Sequence, residues 1–151
     1  MTVYELITLG FSLVAIVISI IALRKSILSS GANVELYINE RITNTKDKVN
    51  EISITMAPLV SKQNRTPEDN SLLEAYQKIF YSAVENNLNA YEEACAKYID
   101  GKVDKERFKK TYKTEIRQLV ENETMKRYFE PLTTRFKAII KVYGEWENLE
   151  R

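Results

Sequence analysis

LITLGFSLVAIVISIIAL, residues 6–23, decides the architecture: eighteen residues pass without a charge, bounded by Glu5 on one side and Arg24 and Lys25 on the other. At about 1.5 Å per residue a helix of this length reaches roughly 27 Å, close to the hydrocarbon thickness of a bilayer. The stretch predicts a transmembrane helix. A cleaved signal peptide would carry a basic segment ahead of the apolar run, whereas residues 1–5 hold no Lys or Arg and one acid. The nearest cations, Arg24, Lys25 and then Arg41, all follow the run. Positive residues stay on the cytoplasmic side, so residues 1–5 are expected outside, residues 6–23 in a bacterial inner membrane and the remainder in the cytosol.

Residues 24–151 hold all 22 Lys and Arg and 20 of the 21 acids, a formal net charge of +2. That balance excludes a strongly basic nucleic-acid-binding domain and an acidic tail. One cysteine, Cys95, excludes a disulfide within the chain, and the lack of histidine excludes most zinc sites and every His-based acid–base mechanism. No cofactor or metal is expected. In a reducing cytosol Cys95 reads as a small core residue.

Within the apolar run, Thr8, Ser12, Ala15, Ser19, Ala22 and Ser26 recur at spacings of 4, 3, 4, 3 and 4, while Leu9, Phe11, Leu13, Ile16, Val17, Ile20 and Ile21 are bulky. Lipid tails give helices no hydrophobic reason to associate, so a seam of small residues permitting close approach points to self-association. In a dimer or trimer the seam is closed packing; in a larger ring it lines a lumen wet by Thr8, Ser12 and Ser19, which makes a pore. The bland alternative is that the hydroxyls bond back to their own i−4 carbonyls. The expected partners are thus the bilayer and further copies of the chain.

Residues 24–60 read as a helical extension. Ser26, Ser29 and Asn33 carry the seam onward until Gly31 weakens the helix, and the phase then resets to Ile38, Ile42, Thr45, Val49, Ile52, Met56 and Leu59. This second heptad run suits a core helix and a seam between subunits equally, and Pro58 is expected to end it.

Residues 61–65 are a polar linker, and residues 66–151 form a helical domain. Thr66, Pro67 and Asp69 spell a helix start, and Asp100 with Gly101 spells a stop. Between them Leu73, Tyr76, Phe80, Ala83, Leu88, Tyr91, Ala94, Cys95 and Tyr98 mark one apolar face. Asp104 caps a next helix with the face Phe108, Tyr112, Ile116, Leu119 and Val120. A short helix then carries Met125, Tyr128 and Phe129, and after Pro131 a last one is built on Leu132, Phe136, Ile139, Ile140 and Tyr143. No alternating β pattern occurs, so the class is all-α: one N-terminal transmembrane helix followed by a cytosolic bundle of antiparallel helices. Residues 66–101 hold seven acids against two bases, and residues 102–117 seven bases against three acids. Two adjacent helices of opposite sign attract each other; a phosphate-binding strip of Lys105, Arg107, Lys109, Lys110 and Lys113 is the lesser reading.

The string RQLVEN, residues 117–122, resembles the motif of HEPN ribonuclease domains in its Arg117, the polar Gln118 after it and the spacing to Asn122, which stands where that motif has His. With a single N-terminal span and an all-helical body, the whole chain resembles the small transmembrane accessory proteins of type VI-B CRISPR systems. That resemblance implies a HEPN-like bundle, a role in antiphage defence and a partnership with an RNA-guided RNA-cutting effector; RNA contact is the lesser expectation. Metal-independent RNA cleavage needs groups that exchange protons near neutrality. Asn122 has no such proton and Arg117 keeps its own, so the element is expected to be inactive. Arg117 is expected to pair with Glu85 or Glu92, and Asn122 to cap the helix after it. A membrane-tethered HEPN-type ribonuclease and a non-pore membrane adaptor for a soluble effector remain as alternatives to the pore.

Overall fold

The computed structural model describes residues 3–130 and 133–148, with side chains at 15–26, 31–130 and 133–147. Every regular element among them is helical: α1 (Val3–Ser61), α2 (Pro67–Ile99), α3 (Lys105–Glu121), a 3₁₀ turn (Lys126–Tyr128) and α4 (Lys137–Asn148). The all-α class is therefore observed.

α1 is one unbroken helix of 59 residues, roughly 90 Å long at the usual rise. This corrects two expectations. Gly31 does not interrupt it: a single glycine costs about 1 kcal/mol against alanine, which long helical flanks on both sides outweigh. Nor does Pro58 stop it at once, since the helix runs on to Ser61. Only one turn follows the proline. Its open carbonyls are met by the Arg65 guanidinium, whose Nε donates to the Leu59 oxygen at 2.8 Å and whose Nη2 donates to that of Val60 at 2.5 Å.

The heptad face of α1 packs against the chain's own α2, which decides for the core helix over the inter-subunit seam. Ile38, Ile42 and Ile52 are buried there. Cross-links Arg41 to Glu93, Asn87 to Thr45 and Lys62 to Asp69 run in opposite directions along the two helices, so they are antiparallel. Tyr91 to Glu115 and the Tyr98–Phe108 ring contact make α3 antiparallel to α2. Arg117 to Glu147 and Tyr143 to Glu121 do the same for α4 against α3. The result is an up-down-up-down bundle in which α2 touches all three other helices.

The helix boundaries follow local chemistry. Thr66 and Asp69 form a reciprocal capping box with Pro67 in the first turn. At the other end Gly101 takes φ +65, and the bonds from Lys102 N to Lys97 O and from Gly101 N to Tyr98 O close a Schellman motif. Asp104 accepts from Arg107 N and starts α3. α4 departs from its expected face: Phe136, Ile139, Val142 and Trp146 are buried, whereas Ile140 and Tyr143 are half-buried. Leu132 lies outside the described residues. The core gathers Trp146, Phe136, Leu88, Ile116, Ile139, Val142 and Cys95, so Cys95 is the interior residue it reads as.

Candidate functional site

Below the bundle α1 continues alone. Residues 15–26 are all exposed, with Ile18 at 61% and Leu23 at 62%, so no element of the described chain covers this shaft. α1 is long and apolar enough to cross a membrane by length and composition. Of the seam, Ala15, Ser19, Ala22 and Ser26 lie on the shaft; the side chains of Thr8 and Ser12 fall outside the described residues. At about 100° per residue the seam sits roughly 130° around α1 from the Ile38, Ile42, Val49 and Ile52 face, so the line of α2 does not extend over it. The Ser19 hydroxyl donates to the Ala15 carbonyl at 2.8 Å, as do Thr45, Ser53 and Thr55 to theirs farther up. Ser19 therefore offers a neighbour its lone pairs while its proton is engaged.

Arg117 and Asn122 do not converge on one site. The Arg117 guanidinium turns to α4, with Nη2 2.5 Å from Glu147 and Nε 3.6 Å from Glu121. Its pKa is raised, first by the hydrogen bond to Glu147 and then by that carboxylate's charge. This corrects the expected partners: Glu85 pairs instead with Arg135 at 2.9 Å, and Glu92 accepts from the Ala138 and Ile139 amides at 2.8 and 3.0 Å, capping α4 from outside. Asn122 ends α3, and its Oδ1 accepts from the Thr124 amide and hydroxyl. It closes an Asx turn and caps no following helix, another correction.

Asn122 instead lines a cleft of about 280 Å³ with Lys46, Asn87, Tyr91, Glu115 and Gln118. Lys46 Nζ lies 2.7 Å from Glu115, Tyr91 donates its hydroxyl to the same carboxylate, and Asn87 donates to Thr45 at 3.0 Å. One carboxylate thus ties α1, α2 and α3. Burial opposes its charge, but the hydrogen bonds from Lys46 and Tyr91 outweigh that and hold Glu115 below the usual carboxylate range. Burial, then the bond to Glu115, pushes the Tyr91 phenol well above its usual value. Neither group exchanges protons near neutrality, so the cluster is a strut without an acid–base pair. Little in the local sequence signals it, because Lys46 and Glu115 look like solvated charges beside the core-facing positions Thr45 and Ile116.

The basic helix is also partly engaged within the fold. Lys105 Nζ stands 5.1 Å over the Tyr98 ring, and Arg107 Nε lies 3.1 Å from Glu35. The acids of α2 likewise turn to Arg41, Arg135 and the start of α4, in place of the expected direct pairing with α3. No family model, curated protein or solved structure matches this chain.

Proposed function

We propose that the chain is a single-pass protein of a bacterial inner membrane, with its N-terminus outside and its helical bundle in the cytosol, that assembles with further copies of itself into a pore. One observation carries the reading: the apolar shaft of residues 15–23 is exposed along its length and stands clear of the bundle. A bilayer covers such a surface without further help. The seam of Thr8, Ser12, Ala15, Ser19, Ala22 and Ser26 supplies the helix contact, and in a ring of sufficient size it lines the lumen. Without a charge on the seam, the pore discriminates weakly between cations and anions, and Arg24 and Lys25 bias only the cytosolic mouth.

The role in antiphage defence, as accessory to an RNA-guided effector, and the HEPN-like nature of the bundle rest on the resemblance. Arg117, bound to Glu147, and Asn122, without a titratable proton, support an inactive element over a ribonuclease. The test is membrane potential in cells carrying the whole defence system under phage challenge. Wild type depolarises, and Ser12→Leu with Ser19→Leu does not. A steady potential alongside intact protection would replace the pore with a membrane adaptor.

A further inference from the structure

Where α1 leaves the apolar run, the turn between α2 and α3 leans against it. α2 runs antiparallel to α1, so this turn is the end of the bundle nearest the apolar run. A Cβ placed on Gly31 would lie 3.7 Å from the Lys102 carbonyl oxygen. Ser26, Gly31, Val34, Glu35, Lys102 and Arg107 line an open groove of about 550 Å³ at this junction. Gly31 lies eight residues beyond Leu23, about 12 Å along the helix, and a polar headgroup layer is roughly 5–8 Å deep. The groove therefore runs from Ser26, within that layer, to Gly31, about 4–7 Å beyond it, a gap that a lysine or arginine side chain spans.

Its charges are unequal in their freedom. Glu35 accepts from the Asp104 amide at 2.9 Å and holds Arg107, while Asp104 caps α3, so both acids are engaged by the fold. Among the described residues neither Lys102 nor Arg24 has an ion-pair partner. Arg24 lies seven residues before Gly31, about two turns, and so on the same side of α1, with Lys102 above and Arg24 below. Beneath them on nearby faces of the helix run the exposed side chains Ile16 and Ile20.

Resting on the membrane reading, we infer that this groove is a docking site for the headgroup of an anionic phospholipid, held between Lys102 and Arg24 with its acyl chains along Ile16 and Ile20. A cation near the surface adds about a fivefold preference for anionic lipid. The experiment incorporates the full chain into vesicles of phosphatidylcholine with a minor share of phosphatidylglycerol, extracts it gently and measures retained lipid by native mass spectrometry. Wild type retains phosphatidylglycerol enriched over the bulk, and Lys102→Gln and Arg24→Gln each reduce the enrichment about fivefold. Lys25→Gln, which removes the same charge from the same level about 100° around the helix, reduces it distinctly less than Arg24→Gln. Equal losses from Lys25→Gln and Arg24→Gln would reduce the effect to general surface charge and overturn the site, as would wild-type protein that integrates without enrichment. Carbonate extraction separates the two failures: a chain stripped from pure phosphatidylcholine vesicles refutes the membrane reading itself.

Discussion

Glu115 carries more of the fold than its sequence surroundings suggest, since its carboxylate is the point where Lys46 of α1 and Tyr91 of α2 meet α3. Its folded pKa lies below the ordinary 4.5, so the unfolded chain takes up the proton first on acidification. The stabilisation is complete above the ordinary value and is lost as pH falls through the depressed one. Denaturation midpoints measured from about pH 6 down to pH 3 should fall in wild type and fall less steeply in Glu115→Gln. Trp146 fills the centre, with its indole N–H donating to the Tyr98 hydroxyl at 3.1 Å and its ring edge-on to Tyr98. Trp146→Ala should cost about 3–5 kcal/mol by chemical denaturation. Arg117→Ala and Glu147→Ala each break the half-buried Arg117–Glu147 pair. Their effects on stability should be modest and less than additive when combined, and purified wild type should leave RNA uncut. Cleavage by the wild type that disappears in Arg117→Ala, with the fold intact, would mean that Arg117 belongs to a nuclease site.

At the scale of elements, the legible part of the sequence is what is written locally. The Thr66 capping box, the Asp104 cap and the Gly101 stop each lie within a few residues of chain, and the apolar faces of α2 and α3 repeat at helical spacing. The remainder depends on which helices meet. Val142 and Trp146 are hidden in the sequence because Ile140 and Tyr143 complete an equally regular face, and only packing against α2 and α3 selects between them. Glu92 capping α4 and Glu35 holding the start of α3 span 46 and 69 residues, beyond any local pattern. The apparent phase reset near Gly31 is a change of face on a continuous helix, from a seam that α2 does not cover to a stripe that it does. Gly31 is then a weak point at which no special backbone conformation is required, and a Cβ there meets the Lys102 oxygen at ordinary contact distance. Gly31→Ala should stabilise by about 0.5–1 kcal/mol, read as a rise of a few degrees in thermal midpoint. A loss would mean that the bend or mobility of glycine is used there. On the seam, Ser12→Leu with Ser19→Leu should change the size of the detergent-solubilised oligomer, while Leu13→Ala with Ile20→Ala should not. Equal effects would remove the assigned face.

For the whole molecule, a bundle closed around Trp146 and an uncovered apolar shaft share one helix, and on the proposed reading the shaft lies in lipid. The bundle has its own core and leaves Ala15, Ser19 and Ala22 uncovered, so on the proposed reading copies can approach through the shaft without unpacking. A few helices fill their own axis, whereas a wider ring leaves an opening that seam hydroxyls can wet through their lone pairs. The most direct measurement is release of a small trapped dye from liposomes bearing the reconstituted full chain, with integration checked by carbonate extraction in the same samples. Wild type should release the dye, and the Ser12→Leu with Ser19→Leu variant should release little at equal incorporation. Liposomes that hold their dye while carrying fully integrated wild-type protein would contradict the pore.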